Sequence, residues 1–179
     1  MIPALDEESA LPHVLREIPR PPVRRIVVAD NGSTDRTAAV ASEHGAEVVF
    51  ESERGYGAAC LRALVHLAQD PPDIVVFLDG DYSDHPTELP VVVEPIVRNQ
   101  AELVIGSRAT GVAERGALSP QQRLGNAIAC RVLRLFYGVE YSDLGPFRAI
   151  RWETLQALEM QDRNYGWTVE MQIKAAQQG

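Results

Sequence analysis

Short runs of apolar residues recur along the first part of the chain. They are rich in β-branched side chains and do not alternate with polar residues. This pattern is typical of parallel strands that are covered by helices on both faces. We therefore predict strands at Arg25–Ala29, Ala46–Phe50, Ile74–Leu78 and Leu103–Gly106.

Between these runs, apolar and polar residues are spaced as in amphipathic helices. The last of the segments is interrupted by Pro90 and Pro95. Strands that alternate with helices predict an α/β domain with a mostly parallel central sheet flanked by helices. The predicted helices are Ser9–Ile18, Arg36–His44, Gly57–Ala68 and Thr87–Arg98.

The pattern changes after Gly106. A polar loop extends to Ser119, a helix is predicted over Pro120–Tyr137 with proline in its first turn, and an irregular stretch follows through Arg151. A last helix is predicted over Trp167–Gln178. No internal repeat or linker divides the chain, so we predict one domain over residues 1–179.

Composition and charge narrow the class of protein. A chain of 179 residues with 45% hydrophobic residues suits one globular domain. Its net charge of −8 argues against binding of nucleic acid, which requires clustered positive charge. No apolar run approaches the roughly 20 residues of a spanning helix, and the start does not resemble a signal peptide. We expect a soluble cytoplasmic protein in which Cys60 and Cys130 are reduced core thiols.

The most informative chemistry lies in the sequence VVFLDGDYSD. Asp79 and Asp81 stand two positions apart directly after an apolar strand, so both carboxylates can face one cation. Gly80 between them carries no side chain that would obstruct a ligand. The carboxyl ends of parallel strands open onto the ligand crevice in α/β proteins. Two hard oxygen ligands favour Mg²⁺ or Mn²⁺, although Asp-Gly-Asp alone is also common in turns.

Two further segments place polar residues between a strand and a helix. In VVADNGSTDRT, Asp30 lies at a strand end and can accept hydrogen bonds from a base or ribose, whereas the residues Ser33–Asp35 are suited to helix capping. In ERGYGAAC, Arg54 lies beside two glycines that open a helix. That arrangement can approach an anion closely, but on this motif alone an ordinary glycine-rich turn is the preferred explanation.

Taken together, the motifs resemble those of a known family. IPALDEE, DNGSTD, RGYGAA, DGD, GSR and DLGPFRAI follow one another over nearly the whole chain. In this order they resemble the family 2 glycosyltransferases of the GT-A fold, and are most similar to bacterial enzymes related to dolichyl-phosphate mannose synthase and the polyprenyl-phosphate glycosyltransferases. Relative to that family, the chain is expected to be shortened at both the N-terminus and the C-terminus.

The resemblance implies a metal-dependent, inverting transfer of a sugar from a UDP- or GDP-sugar. Residues 1–106 would form the nucleotide-sugar-binding half and residues 107–179 the acceptor-side half. The acceptor would be a polyprenyl phosphate or a small polar molecule. The protein would act in the cytoplasm, either free or peripheral at the inner face of the membrane. Association into a homodimer is compatible with the resemblance.

The resemblance also implies roles for individual residues. Asp81 would be the principal ligand of Mg²⁺ or Mn²⁺, together with Asp79. Asp143 would be the catalytic carboxylate near the anomeric carbon. It would act as a base for an alcohol acceptor or as an orienting group for a lipid phosphate. Trp167 and Glu170 would meet the acceptor. Residues implied in nucleotide-sugar binding are Pro3, Ala4, Asp6, Glu7, Asp30, Arg54, Asp79, Gly80, Arg108, Arg123 and Arg148.

Two other functions compete with sugar transfer. A phosphatase of the haloacid dehalogenase type also has an apolar strand followed by DxD, with Asp79 as the nucleophile and Asp81 as its acid-base partner. Ser83 in the fifth motif position and the absence of a lysine before Lys174 oppose it. The other alternative is a non-catalytic nucleotide-binding module.

Overall fold

The structure is a computed structural model that describes residues 1–106 and 145–178. In these residues strands and helices alternate through the first part of the chain, and a 3₁₀ turn at Pro86–Glu88 precedes the fourth helix. The strands are β1 (Ile2–Ala4), β2 (Val27–Asp30), β3 (Glu47–Phe50), β4 (Ile74–Phe77), β5 (Leu103–Ile105) and β6 (Arg148–Arg151). The helices are α1 (Leu11–Glu17), α2 (Thr37–Glu43), α3 (Tyr56–Leu67), α4 (Leu89–Val97), α5 (Trp152–Ala157) and α6 (Trp167–Gln178).

The strands form two three-stranded groups that Met1 connects. In the first group β1, β2 and β3 are parallel, and in the second β6 lies antiparallel between β4 and β5. The amino nitrogen of Met1 donates to the Val76 carbonyl at 2.6 Å, and the Leu78 N–H donates to the Met1 carbonyl at 3.2 Å. The main chain of Met1 thereby brings β1 beside β4, and the mostly parallel sheet predicted from the sequence is confirmed.

The predicted strands and helices of the first part of the chain agree with the structure to within a few residues at their ends. The N-terminal segment, expected to be shortened, still forms a three-residue strand in register with β2, with Ile2 opposite Val28. The helix predicted over Pro120–Tyr137 lies outside the described residues. Among the described residues, no helix has both the length and the apolar character needed to cross a bilayer.

The prediction of an irregular stretch through Arg151 is wrong at its end, where β6 forms. Ala149 and Ile150 are completely buried on opposite faces of the sheet, as expected for a central strand. Arg148 at the start of the strand is also buried, because its guanidinium donates to main-chain carbonyls of Gly145, Pro146 and Thr168. Helix α5, which follows β6 directly, was not predicted either.

Helices cover both faces of the sheet and divide the core into two layers. Alternation along β2 shows the division: Val28 packs with residues of α1, α2 and α4, whereas Val27 and Ala29 pack with residues of α3, α5 and α6. The completely buried side chain of Trp167 lies in the second layer, with its ring 6.3 Å from that of Phe77. Packing in these two layers fixes where the strands end, and therefore where the loops that follow the strands lie.

A loop near the C-terminus, residues 161–165, is held against the start of α3. Its carbonyl oxygens accept hydrogen bonds from the first turn of the helix, with Gly57 N–H donating to Asn164 at 3.1 Å and Ala58 N–H to Arg163 at 2.9 Å. The opening N–H groups of a helix have no partner within the helix itself. Here the 161–165 loop satisfies two of them.

The close approach of this loop requires glycine in the first turn of α3. A Cβ atom at Gly57 would lie 2.0 Å from the carbonyl oxygen of Asp162, and one at Gly55 would lie 2.0 Å from that of Arg163. Gly55 also has a φ of 152°, in the region that favours glycine. The RGYGA sequence is thus explained by packing between two main-chain segments.

We predict that Gly57→Ala lowers the free energy of unfolding by about 3 kcal/mol, since either the loop or the helix must move away from the new methyl group. For a chain of this length that corresponds to a fall in Tm of roughly 6–12 °C. Gly80→Ala is the matched control, because a Cβ atom there would meet its nearest neighbour, Glu7 Cγ, at an ordinary 3.4 Å. Thermal unfolding of both variants tests the prediction, and equal Tm values would contradict it.

Candidate functional site

A cleft of about 520 Å³ opens where β1, β2 and β4 end. This volume lies within the usual range for small-molecule sites, and the carboxyl ends of strands are where α/β proteins bind ligands. The cleft is lined by Pro3, Ala4, Leu5, Glu7, Asn31, Arg54, Gly55, Tyr56, Ala59, Asp79, Gly80, Asp81, Asn164 and Tyr165.

Seven of the residues predicted to bind ligand line this cleft together. They are Pro3, Ala4, Glu7, Arg54, Asp79, Gly80 and Asp81. The acidic pair after β4 thus faces the end of β1, and one guanidinium contributes to the same wall. Such a combination can hold a cation and an anionic ligand side by side.

The two acids of the DGD motif are fixed in different ways. Asp79 is held from outside its own turn: its Oδ1 accepts a hydrogen bond from the Tyr56 hydroxyl at 3.0 Å, and its N–H donates to Asp84 Oδ2 at 3.1 Å. Asp81 is more exposed, and its Oδ1 accepts the N–H of Ser83 at 2.9 Å within the local turn. The structure therefore assigns an anchoring role to buried Asp84, which sequence reasoning missed.

Glu7 adds a third carboxylate to this wall. Its main-chain N–H donates to the Thr37 hydroxyl at 2.8 Å, which fixes the start of the segment that leads into α1. Burial raises the pKa of the Glu7 carboxyl above its ordinary value, and the negative charges of Asp81, Asp35 and Asp6 raise it further. The cleft thus concentrates negative charge where a cation would relieve the repulsion.

Behind the acids lie a buried phenol and a buried thiol. The pKa of Tyr56 is raised well above its ordinary value, first by burial and then by the negative groups around it, so the hydroxyl remains a donor. Burial also raises the pKa of the Cys60 thiol, which is free in the structure. This agrees with the expectation of an unreactive core thiol at that position.

The carboxylates of Asp6 and Asp30 are engaged with the main chain and do not line the cleft. Asp30 Oδ1 accepts the N–H of Ser33 at 3.0 Å, and Asp6 Oδ1 accepts the N–H of Thr34 at 2.6 Å. In the structure these side chains shape the loop after β2. Recognition of a base by Asp30 stays a prediction.

Asn31 is a cleft residue that the sequence interpretation left without a role. Its Nδ2 donates to the carbonyl of Glu53 at 2.6 Å, and its Oδ1 accepts the N–H of Gly55 at 2.8 Å. The side chain therefore ties the end of β2 to the turn before α3. Its position next to Asp30 at a strand end was the available signal.

The predicted arginines differ in position. Arg54 lines the cleft, and one of its terminal nitrogens donates to the Gly32 carbonyl at 2.9 Å. Arg148, only 1% exposed, is turned into the interior between β6 and α6. This geometry does not favour direct contact between Arg148 and a ligand. Arg108, Arg123 and Asp143 lie outside the described residues, and their roles stay predictions.

The predicted acceptor residues lie behind the cleft wall. Trp167 is 1% exposed within the core, and the Glu170 carboxylate accepts the N–H groups of Gln161 and Asp162 at 3.0 Å and 2.7 Å. Glu170 thereby supports the 161–165 loop. The residues of that loop that reach the cleft are Asn164 and the 86% exposed Tyr165, which the sequence interpretation did not single out.

A second cavity of about 410 Å³ lies at the opposite, amino-terminal ends of β1 and β4. It is lined mainly by apolar side chains, among them Ile18, Ile74 and Val93. Its described lining brings no two carboxylates together. The paired acids at the carboxyl ends of the strands distinguish the first cleft from this cavity.

Comparison with known proteins connects this geometry to enzymes of known class. The chain is 39% identical over its whole length to an uncharacterized glycosyltransferase of Mycobacterium tuberculosis, of which it covers 78%. It is 34% identical over 97% of its length to a dolichyl-phosphate hexose transferase of Haloferax volcanii, of which it covers 74%.

A solved structure of similar fold is glucosyl-3-phosphoglycerate synthase from Mycobacterium tuberculosis in complex with Mn²⁺, UDP-glucose and phosphoglyceric acid. The TM-score is 0.78 at 27% identity, over 99% of this chain. The chain spans 64% of the length of that protein. The α/β fold described above is therefore the GT-A fold of such transferases.

Residues 1–164 match the family described as Glycosyl transferase family 2. This match covers the cleft-lining segments of β1, β2, α3 and β4, including the acidic pair. It decides against the phosphatase reading of the DxD sequence. By the extent of this match, and by its identity to the relatives above, the chain belongs to the family 2 glycosyltransferases.

Proposed function

We propose that this glycosyltransferase binds a UDP- or GDP-sugar in the cleft between β1 and β4 and transfers the sugar with inversion. The observation that carries the proposal is the common cleft of Asp79, Asp81 and Arg54 at the carboxyl ends of the strands. An acceptor oxygen would form the new bond to the anomeric carbon as the bond to the nucleoside diphosphate breaks. Negative charge then develops on the leaving diphosphate, and the cleft must stabilise it.

The residues present fit a divalent cation of the Mg²⁺ or Mn²⁺ type. Asp79 and Asp81 offer carboxylate oxygens, and the described residues contain no group of three or more His, Cys, Asp or Glu side chains arranged to hold a metal. A site of two carboxylates suits a cation that takes its other ligands from water and phosphate. When bound, the cation would neutralise charge on the leaving group. That the glucosyl-3-phosphoglycerate synthase structure contains Mn²⁺ with UDP-glucose supports this assignment.

A phosphate-bearing acceptor is the second part of the proposal. Two relatives are named for lipid phosphate acceptors, the dolichyl-phosphate hexose transferase and an undecaprenyl-phosphate mannosyltransferase of Micrococcus luteus. The similar solved structure contains phosphoglyceric acid. An ionised phosphate acceptor needs no base, whereas a hydroxyl acceptor needs one, for which Asp143 is the candidate. Transfer assays with a polyprenyl phosphate and with phosphoglyceric acid distinguish these acceptors.

We propose that Arg148 and Glu170, which lie behind the lining of the cleft, support the main chain of the segments that form it. Arg148 holds the segment that leads into β6 through the carbonyls of Gly145 and Pro146, and Glu170 holds the 161–165 loop through two main-chain N–H groups. Neither side chain lines the described cleft. Their substitution would disturb the cleft through the main chain.

We predict that Asp81→Asn weakens Mn²⁺-dependent binding of UDP at least 100-fold, because a carboxylate ligand is lost. Asp143→Asn should leave that binding unchanged and lower the rate of transfer by roughly 10²–10⁴-fold if the residue is the base. Calorimetric titration of UDP with Mn²⁺, followed by assay of nucleoside diphosphate release, measures both effects.

The exposed Asp73, far from the acids on the second cavity, gives the matched control Asp73→Asn. Unchanged binding in Asp81→Asn would refute the cation assignment. If the parent binds UDP with Mn²⁺ but transfers to no acceptor, the chain acts as a nucleotide-binding module. If it binds none of the UDP- and GDP-sugars, the proposed function is wrong.

We predict that Glu7→Gln stabilises the metal-free protein near neutral pH. The folded-state pKa of Glu7 is raised, so its charged form destabilises the fold above that pKa. As the pH falls toward the ordinary value of 4.5, Glu7 becomes protonated in the folded protein, and the difference in Tm between variant and parent should disappear. Thermal unfolding in EDTA between pH 4 and pH 8, values chosen to bracket the ordinary range, tests this.

The exposed Glu88→Gln serves as the control for loss of a surface charge. A Tm difference for Glu7→Gln that is independent of pH, or a loss of stability at neutral pH, would contradict the prediction.

A further inference from the structure

Tyr56 lines the cleft, but the sequence motifs gave it no role. It is the first residue of α3, and hydrogen bonds of its neighbours fix its main chain from two sides. Gly55 N–H donates to Asn31 Oδ1 at 2.8 Å, and Gly57 N–H donates to the Asn164 carbonyl at 3.1 Å. The ring therefore projects into the cleft from a rigid support.

The Tyr56 hydroxyl reaches across the cleft wall to the acidic pair. It donates to Asp79 Oδ1 at 3.0 Å, while Asp84 Oδ2 accepts the main-chain N–H of Asp79. One contact thus holds the carboxylate and the other holds the backbone. Asp81, in contrast, accepts a hydrogen bond within its own turn, from the Ser83 N–H. Of the two acids, Asp79 is the one whose carboxylate accepts a hydrogen bond from a residue of another element, Tyr56 of α3.

A hydrogen bond of this kind selects the rotation of the carboxylate before any ligand arrives. Groups that orient a metal-binding side chain typically change metal affinity by about 10–100-fold when they are removed. The entropic cost of ordering the Asp79 side chain is then met when the protein folds and not when the ligand binds. The tyrosine hydroxyl needs no change of protonation for this role.

We propose that Tyr56 is a positioning residue for the cation and the donor diphosphate, acting through Asp79. The inference rests on the proposed function, since it requires a cation at the acidic pair. Tyr56 itself supplies no proton to the reaction and need not touch the sugar.

The test uses Tyr56→Phe, which keeps the ring and removes the hydroxyl only. Tyr82→Phe is the matched control: the Tyr82 hydroxyl also donates to a carboxylate, that of Glu17, but this contact lies outside the cleft. We expect Tyr56→Phe to weaken binding of Mn²⁺ in the presence of UDP by about 10–100-fold. Tyr82→Phe should stay within about twofold of the parent, since no ligand to the cation is oriented by it. Free Mn²⁺ measured by electron paramagnetic resonance gives these affinities.

A second measurement separates positioning from folding. In an Asp79→Asn background, Tyr56→Phe should have little additional effect on Mn²⁺ affinity, because the group it orients has been replaced. At saturating Mn²⁺ and donor, the transfer rate of Tyr56→Phe should recover toward that of the parent. Thermal unfolding of each variant verifies that the folded state is retained.

Equal Mn²⁺ affinities in Tyr56→Phe and the parent would overturn the inference and leave the proposed function intact. Additive effects of Tyr56→Phe and Asp79→Asn would also overturn it, because Tyr56 would then act by another route. Absence of Mn²⁺-dependent UDP binding in the parent would overturn the proposed function together with this inference.

Discussion

The main-chain hydrogen bonds between the 161–165 loop and the first turn of α3 fix the side of the cleft that α3 forms. They consume two opening N–H groups of the helix, so these groups do not receive an anion. They also require glycine at positions 55 and 57 and direct Tyr56 toward the acidic pair. Among the described residues that line the cleft, the positive charge therefore comes from Arg54, and the proposed cation would add to it. A motif that suggests a phosphate-binding turn instead forms a packing contact.

The fold was predictable where burial leaves a simple pattern. β2 and β4 are covered on both faces, so each is an unbroken apolar run, and hydrophobic residues alone locate them. β6 breaks this rule because it begins with a buried arginine, whose charge suggests a loop. Carbonyl acceptors in α6 and in the segment before β6 contribute to making that burial favourable. Those acceptors come from separate parts of the chain, and no local pattern reveals them.

The site shows the same limit at the level of single residues. Asp79 and Asp81 could be predicted, since a strand end determines where both acids lie. For the acids in the loops after β1 and β2, the sequence could not show which of them bind a ligand. A carboxylate that accepts a hydrogen bond from a ligand and one that caps a turn have the same sequence signature. Asp6 and Asp30 shape their loops, whereas neighbouring Asn31 lines the cleft. The contact between Tyr56 and Asp79 depends on the packing of α3 against β1 and β2 and on the position of β4 beside β1. It has no signature in either segment.

The position of β6 between β4 and β5 has a consequence for biosynthesis. A ribosome delivers β4, α4 and β5 well before it delivers β6, and long-range strand pairing of this kind forms slowly. Until then, the edges that β6 will occupy on both strands expose main-chain donors and acceptors that can pair with other chains. At that stage the nascent chain already carries the acidic pair but lacks the central strand of this half of the sheet. Protection from aggregation during synthesis therefore depends on prompt emergence from the ribosome of the segment that contains β6.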